Sequence, residues 1–491
     1  MANKPTFIIA GPGAGKTHGM VNKIEESIGD LNPCRQLAAV TYTNAAAEVI
    51  RRRLAKRTAL PRNMFIGTTH SFIARYILRP FATLLDELPE ERIYCGVEIK
   101  KTGAARNAIL KNLRNKGVVS YEAMLSTAAK IIQQKPVRDL ISNRLQCLFV
   151  DEFQDVDSRQ LKIFDALRKA KKTKIFVVGD PEQYISGHTY RNSGRSVPAF
   201  DKLPFAVFRK SSTIDEEPIN WRANGELVDF ANQFRSDLEQ TPKKPYRKKQ
   251  SVLFLKGTSL EKTIENFQIR SKKLPKAGER ISRLYLARNN DAYDDVRHKF
   301  NIVHVSNDSR RTPTLLGDSC DLLAQAIGFS ESKAMHELCI SKFQWRSLGI
   351  ELLHLAKQQD FNEEAFWEFA KSRLQIKKKS SSRGKSISGL VGKLKSCLFH
   401  DLTSSDAEHS SSIHRAKGLE ADAVLVVAQT CKQLQAWLVK DQDQRAADKT
   451  DRCRLGYVAS TRARELLCFA CTKPIDDTTT EILADRGIKI V

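Results

Sequence analysis

Three glycines within five residues, followed by Lys16-Thr17, are the first place in this chain where spacing dictates chemistry. Gly11, Gly13 and Gly15, with Ala14 between them, let backbone N–H groups turn inward around an anion, and a helix starting at Lys16 adds its dipole. Lys16 supplies a point charge for the β- and γ-phosphates of a nucleotide, and the Thr17 hydroxyl is a ligand for Mg²⁺. The first glycine of the usual eight-residue pattern is Ala10 here. Farther on, Asp151 and Glu152 are adjacent carboxylates at the end of an apolar run. Phosphoryl chemistry behind a phosphate loop needs two acids, one to hold the metal and one to orient and deprotonate the attacking water. Gln183 ends another apolar run and can hydrogen-bond a γ-phosphate or that water. Trp221 offers a face for adenine, and Arg222 can reach the γ-phosphate from across a cleft. Arg462, after Ser460-Thr461, is placed to act as an arginine finger.

These residues need strands that end where the polar groups begin. Apolar runs around Ile8, Ala39, Ile66, Phe149 and Phe176 supply five, and the segments between them read as helices, so the prediction is an α/β doubly wound parallel sheet. Ligands bind at the carboxyl ends of such strands. Thr41-Tyr42-Thr43 and Thr68-Thr69-His70-Ser71-Phe72 lie at two of those ends. Tyr42 can stack on a base and touch a nucleic-acid backbone, although an ordinary strand–turn–helix reads the same way. From about Arg75 to Arg144 the pattern turns helical and basic, with Lys100, Lys101, Arg106, Lys111, Arg114 and Lys116, and is expected to be an insertion. A second set of strands starts near residue 218. Residues 302 to about 375 read as helical, and 377–385 (KKKSSSRGK) as a linker.

The chain has 491 residues, 41% hydrophobic and 28% charged, which is globular, and several domains are expected. The 81 Lys and Arg against 56 Asp and Glu leave a formal charge of +25. An excess of that size, spread along the chain, favours a polyanionic partner over plain solubility. The ten cysteines show no framework of paired spacings. Cys468-x-x-Cys471 lies in an apolar run and reads as buried strand rather than a metal or redox site. A reduced, cytoplasmic protein is expected, with no membrane span and no signal peptide before the phosphate loop.

In order, AGPGAGKT, TYTNAAAE, GTTHSF, VDEFQD, VGDPEQ, NWR, IHRAKGLE and YVASTRAR resemble the motif series of the superfamily 1 DNA helicases of the UvrD/Rep/PcrA group. The resemblance spans residues 6 to about 470 and implies a P-loop NTPase with two RecA-like domains and ATP between them. Domain 1A would comprise 1–72 and 145–212, a helical insertion 1B 73–144, domain 2A 213–300 and 405–491, and a small helical insertion 2B 301–404. It implies that Lys16 and Thr17 bind phosphates and Mg²⁺, that Asp151 holds the metal and that Glu152 is the catalytic base. Gln183, Arg222 and Arg462 would contact the γ-phosphate, Trp221 the adenine and Glu420 the ribose. Thr41, Tyr42, His70, His414 and Lys417 would line the DNA track. The implied activity is ATP-dependent translocation on single-stranded DNA, usually 3′→5′, with single-stranded or tailed duplex DNA as partner.

Three departures stand out. No glutamine precedes Lys16, where relatives carry one that reads adenine. After Gln183, relatives carry a Tyr and a Trp or Phe on which bases stack. Ser186 and His188 hold those places, with Tyr184 and Tyr190 nearby. The chain is short, and no appended nuclease domain is expected. In size it is similar to the helicase subunit of two-gene anti-phage systems such as Gabija, which implies an OLD-type nuclease as partner. A sensor of DNA ends or single strands that unwinds little, and a DNA-repair helicase, are the alternatives.

Overall fold

The computed structural model describes residues 4–84, 94–97, 108–110, 112–113, 117–192, 194, 196–274, 281–304, 315–327, 331–356, 358, 361–374, 387, 391, 394 and 408–491. The basic residues Lys100, Lys101, Arg106, Lys111, Arg114 and Lys116, and the Ser/Lys-rich 377–385, lie outside the described residues. The chain divides into two compact units, residues 1–304 with 409–491, and residues 305–408.

The first unit holds two large sheets and two small strand pairs among its described residues. Strands β1 (Thr6–Ala10), β2 (Gln36–Thr41) and β3 (Met64–Thr68) are followed by a small parallel pair, β4 (Tyr94–Val97) and β5 (Val118–Ser120). Then come β6 (Leu145–Val150), β7 (Lys174–Gly179) and β8 (Thr213–Glu217). Six of these form a parallel sheet in the order β3-β2-β6-β7-β1-β8. Side chains alternate across each strand. Phe7 and Ile9 of β1 join one apolar cluster, Ile8 and Ala10 the cluster on the opposite face. Both faces are therefore covered, as an all-parallel sheet requires. Helices α1 (Lys16–Gly29), α2 (Asn44–Ala55) and α3 (Thr69–Ile73) each start directly behind a strand end, and the Thr43 and Thr68 hydroxyls cap α2 and α3.

One boundary differs from expectation. The sheet has six strands, because β8 belongs to it and not to the second domain. Thr213 pairs with Thr6, and its N–H donates to the Pro5 carbonyl. The sequence TIDEE has no apolar pattern because β8 is a largely exposed edge strand. The helical part of 73–144, expected as an insertion into this domain, packs into the core of the first sheet. Met124, Leu125, Ala128, Ile131 and Ile132 lie in the same core cluster as Phe7 and Val150.

A second parallel pair, β9 (Ile219–Asn220) and β10 (Thr241–Pro242), leads into the second sheet. That sheet contains β11 (Val252–Phe254), β12 (Arg283–Ala287), β13 (Ile302–His304), β14 (Glu408–Ser412), β15 (Ala421–Ala428), β16 (Ala463–Cys471) and β17 (Lys489–Ile490). Its order is β13-β14-β12-β15-β16-β11-β17. β13 is a strand where the stretch from residue 302 was expected to be helical, and its Ile302 is buried in the core of this sheet. On β15, Val424, Val426 and Ala428 face one core, and Ala423, Leu425 and Val427 the other. Cys468 is buried in β16, as the apolar run predicts.

The second unit is helical where it is described, with helices Leu315–Ile327, Glu331–Glu337, Lys342–Ala356 and Glu363–Leu374 around Leu323, Trp345, Leu352 and Phe366.

Candidate functional site

The loop after β1 turns at Gly13 (φ 75°) and Gly15 (φ 78°), both in the left-handed region that glycine adopts without strain. The Ala14 N–H donates to the Gly11 carbonyl. Lys16 opens α1 and donates to the carbonyls of Ala10 (3.0 Å) and Gly11 (3.3 Å); Thr17 follows it. Burial lowers the Lys16 pKa, against the pull of Asp180, Glu152 and Asp151.

The acids stand at the end of β6, two strands from the loop. Burial, then the neighbouring Glu152, raises the Asp151 carboxyl. Burial also acts to raise Glu152, but Lys417 and Lys16 outweigh it and hold that carboxyl down. Glu152 sits in the left-handed region (φ 51°), a conformation that non-glycine residues keep where surrounding structure fixes it. Gln154 supplies part of that fixing. Its amide N–H donates to Glu152, and its oxygen accepts from the Asp180 N–H at 3.0 Å. Gln183, behind β7, donates to Asp180 (2.8 Å).

The segment after β16's preceding helix reaches this cluster from the second sheet. Arg462 donates to the Gln183 side-chain oxygen at 3.3 Å. Burial, then the charge of Arg222, lowers the Arg462 pKa to about 10. Arg222 pairs with Glu420 at 2.5 Å, and Arg464 also reaches Glu420 at 3.4 Å. Trp221 is 53% exposed; its backbone N–H donates to the Gly13 carbonyl at 2.9 Å, and Lys243 sits over its ring. Lys16, Asp151, Glu152, Gln183, Arg222, Glu420 and Arg462 thus belong to one cleft between the two sheets.

The residues expected on the nucleic-acid track divide. Tyr42 is 63% exposed, and His70 stacks on Tyr121. His188 and His414 meet edge to face, ring centroids 5.6 Å apart. Thr41 is buried, its hydroxyl donating to the Thr43 carbonyl at 2.8 Å. Lys417 is largely buried against the acids that follow β6. Its ammonium bonds Asp155 at 2.5 Å, stands 3.6 Å from Glu152 and donates to the Gln183 carbonyl at 3.4 Å. The reason is charge: buried Asp151 and the half-buried Glu152 and Asp155 form an acidic group that needs a cation. Tyr184 is buried against Phe205, so it offers no face to a base.

Sequence reading missed several members. Asp155 collects Lys417 and Ser186; the third acid of VDEFQD was its only signal. Asn220 and Gln240 both donate to the Pro12 carbonyl, at 2.8 and 3.2 Å. Nothing in the spacing marks Gln240. Arg235 pairs with Asp180 and Asp237 and donates to the Tyr457 hydroxyl at 3.1 Å.

The profile of a family described as an AAA domain matches residues 1–189. A Gabija protein GajB from Bacillus cereus (strain VD045) is 30% identical over 188 residues, 36% of this chain and 37% of that protein. An ATP-dependent DNA helicase Rep from Buchnera aphidicola subsp. Acyrthosiphon pisum (strain APS) is 26% identical over 288 residues, 47% of this chain and 43% of the relative. An ATP-dependent DNA helicase PcrA from Leuconostoc citreum is 24% identical over 294 residues, 49% and 38%. The chain spans less than half the length of each of these relatives.

Proposed function

We infer that this chain, whose motif series and relatives are those of the UvrD/Rep/PcrA-like superfamily 1 helicases, is an ATP-dependent DNA translocase and helicase. The observation that carries this reading is the Arg462–Gln183 contact at 3.3 Å. It brings a guanidinium from the second sheet onto the residue positioned to sense the γ-phosphate in the first, so hydrolysis and closure of the cleft become one event. Lys16 and the loop N–H groups hold the phosphates, and Trp221 and Glu420 bind the adenosine. Glu152 takes the proton of the attacking water, with Gln154 fixing its carboxylate. Among the described residues no group of three or more His, Cys, Asp or Glu side chains could hold a metal by itself. One carboxylate and one hydroxyl, Asp151 and Thr17, suit Mg²⁺, which completes its shell with phosphate oxygens and water. The raised Asp151 carboxyl fits a site where a cation relieves two adjacent acids. Bound MgATP supplies the leaving group and the charge that the arginines stabilise.

The likeness to the Gabija protein supports a role in anti-phage defence beside an OLD-type nuclease, and the likeness to Rep and PcrA supports 3′→5′ movement. No described helix is long and apolar enough to cross a membrane. The test is ATP hydrolysis by the purified chain with and without single-stranded DNA, beside Glu152→Gln. Strong stimulation by DNA, lost at least about 100-fold in the variant, is expected; hydrolysis indifferent to DNA would sink the translocase reading. A second reading, a DNA-sensing ATPase with little unwinding, is favoured by one observation. The segment after Gln183 buries Tyr184 and ties Ser186 to Asp155, so neither of these two residues offers a face to a base. Strand displacement on a 3′-tailed duplex separates the two.

A further inference from the structure

Arg235 stands outside every motif of the series, yet it reaches the segments that carry AGPGAGKT, VGDPEQ and YVASTRAR. It follows the helix Gly225–Asn232, and its side chain is 1% exposed. One end of the guanidinium lies against the phosphate loop, where a Cβ on Gly11 would meet Nη1 at 2.5 Å. Nη2 stands 3.5 Å from the carboxylate of Asp180, directly behind β7. Nη1 donates at 3.1 Å to the hydroxyl of Tyr457, in the helix Arg452–Ser460 that leads to Arg462. Asp237 braces the fork from its own segment, accepting from Nε at 3.1 Å and Nη2 at 2.9 Å.

These contacts close a ring. Asp180 accepts from the Gln183 amide at 2.8 Å, which turns the Gln183 oxygen toward Arg462 at 3.3 Å. Arg462 donates to the Thr461 hydroxyl at 3.1 Å. Thr461 donates to the Tyr457 carbonyl through its N–H at 3.1 Å and its hydroxyl at 3.0 Å. Tyr457 leads back to Arg235. Every member is buried, so each contact acts at low dielectric and is costly to leave unmade. Charge matters here as much as geometry. Asp180 has no exposed surface. Burial lowers the Lys16 pKa, and of the charges that oppose burial there Asp180 is the strongest. An anion in that position opposes a γ-phosphate arriving at the same lysine. Arg235 is the cation that matches it from outside the first sheet.

We propose that Arg235 is a positioning residue for γ-phosphate recognition: it neutralises Asp180 and, through Asp180 and Tyr457, aims Gln183 and Arg462. The proposal rests on the nucleotide cleft of the reading above and not on its DNA partner. Without the guanidinium, Asp180 is a bare buried carboxylate, which repels a triphosphate more than a diphosphate. The Gln183 amide is then free to turn away from Arg462. Both effects fall on the nucleotide that carries the γ-phosphate. Removing the Asp180 charge as well should lift the repulsion.

The test is displacement of a fluorescent ADP from the full chain by ADP and by a non-hydrolysable ATP analogue, both with Mg²⁺. It compares wild type, Arg235→Met, Arg235→Lys and the double variant Arg235→Met/Asp180→Asn. The ratio of analogue affinity to ADP affinity should fall about 10-fold in Arg235→Met, with ADP affinity within about 2-fold of wild type. Lysine keeps the charge but not the fork, so its ratio should fall only about 3-fold. The double variant should return most of the ratio. Thermal melts check that each variant is folded. Where Arg235→Met does not fold, Arg235→Lys stands in for it, and an unchanged ratio in that variant overturns the proposal in the same way. An unchanged ratio in Arg235→Met, an equal loss for both nucleotides, or a double variant no better than the single one would overturn the positioning role alone. A wild-type chain that binds neither nucleotide would overturn the ATPase reading together with it.

Discussion

His414 shows how tightly the surroundings constrain a single residue. Its ring meets His188 edge-on. Burial first, then His188, Arg288 and Arg191, lower its pKa from 6.5 to about 4. The unfolded chain takes up this proton below its ordinary pKa, and the folded chain resists until about 4. The stability is therefore fully present above pH 6.5 and is lost as pH falls from there toward 4. After allowance for the partial exposure of the ring, the loss at pH 5 is about 1 kcal/mol. Thermal unfolding of wild type and His414→Asn at pH 7 and pH 5 checks this; the variant should fall less, and an identical fall in both would contradict it. Lys417, three residues on, marks the limit of sequence reading at this scale. The phosphate loop and the Asp151-Glu152 pair were legible because each is contiguous. The partner of Lys417 is Asp155, 262 positions away, and no spacing rule connects them.

Among the elements, the β9–β10 pair does more than join two sheets. It carries Asn220 at one strand end, and Gln240 stands just before the other. Both side chains donate to the buried carbonyl of Pro12 in the phosphate loop. A Cβ on Gly11 would meet Gln240, and one on Gly13 would meet Asn220. The loop is thus shaped by the segment that also presents Trp221 and Arg222. Gln240→Ala removes one buried hydrogen bond, worth about 1 kcal/mol. With the loop less firmly held, KM for ATP should rise roughly 5-fold with kcat changed less. Steady-state kinetics with the Asn220→Ala variant alongside reads this out; a fall in kcat at constant KM would instead place Gln240 in the chemical step. The central strands were legible as apolar runs because both faces of the two large sheets are buried. Edge strand β8 was not, since exposure removes the pattern, and neither were β13 and the polar β14 (EHSSS) at the edge of the second sheet.

For the whole molecule, the charge is the property least explained by the cleft. The described cations in the cleft are largely matched by acids, as in Arg222–Glu420, Arg235–Asp180 and Lys417–Asp155. Internal pairing of that kind leaves the net +25 untouched, so the excess must act elsewhere on the molecule. The order of motifs made two parallel sheets and a nucleotide cleft legible; the charge excess made a polyanion legible, without saying where it lies. If phosphate contacts carry the affinity, each releases about 0.7 counterion on a single strand. Five such contacts give a slope of about −3.5 in log affinity against log salt, which is roughly a 100-fold loss between 50 and 200 mM. A slope near zero would mean that the excess serves solubility and that rings, not phosphates, hold the strand. Measured together with Tyr42→Ala, which removes the exposed ring expected to stack on a base, the two terms separate. Salt should scale both proteins equally, and the substitution should shift the whole line downward by the stacking contribution alone.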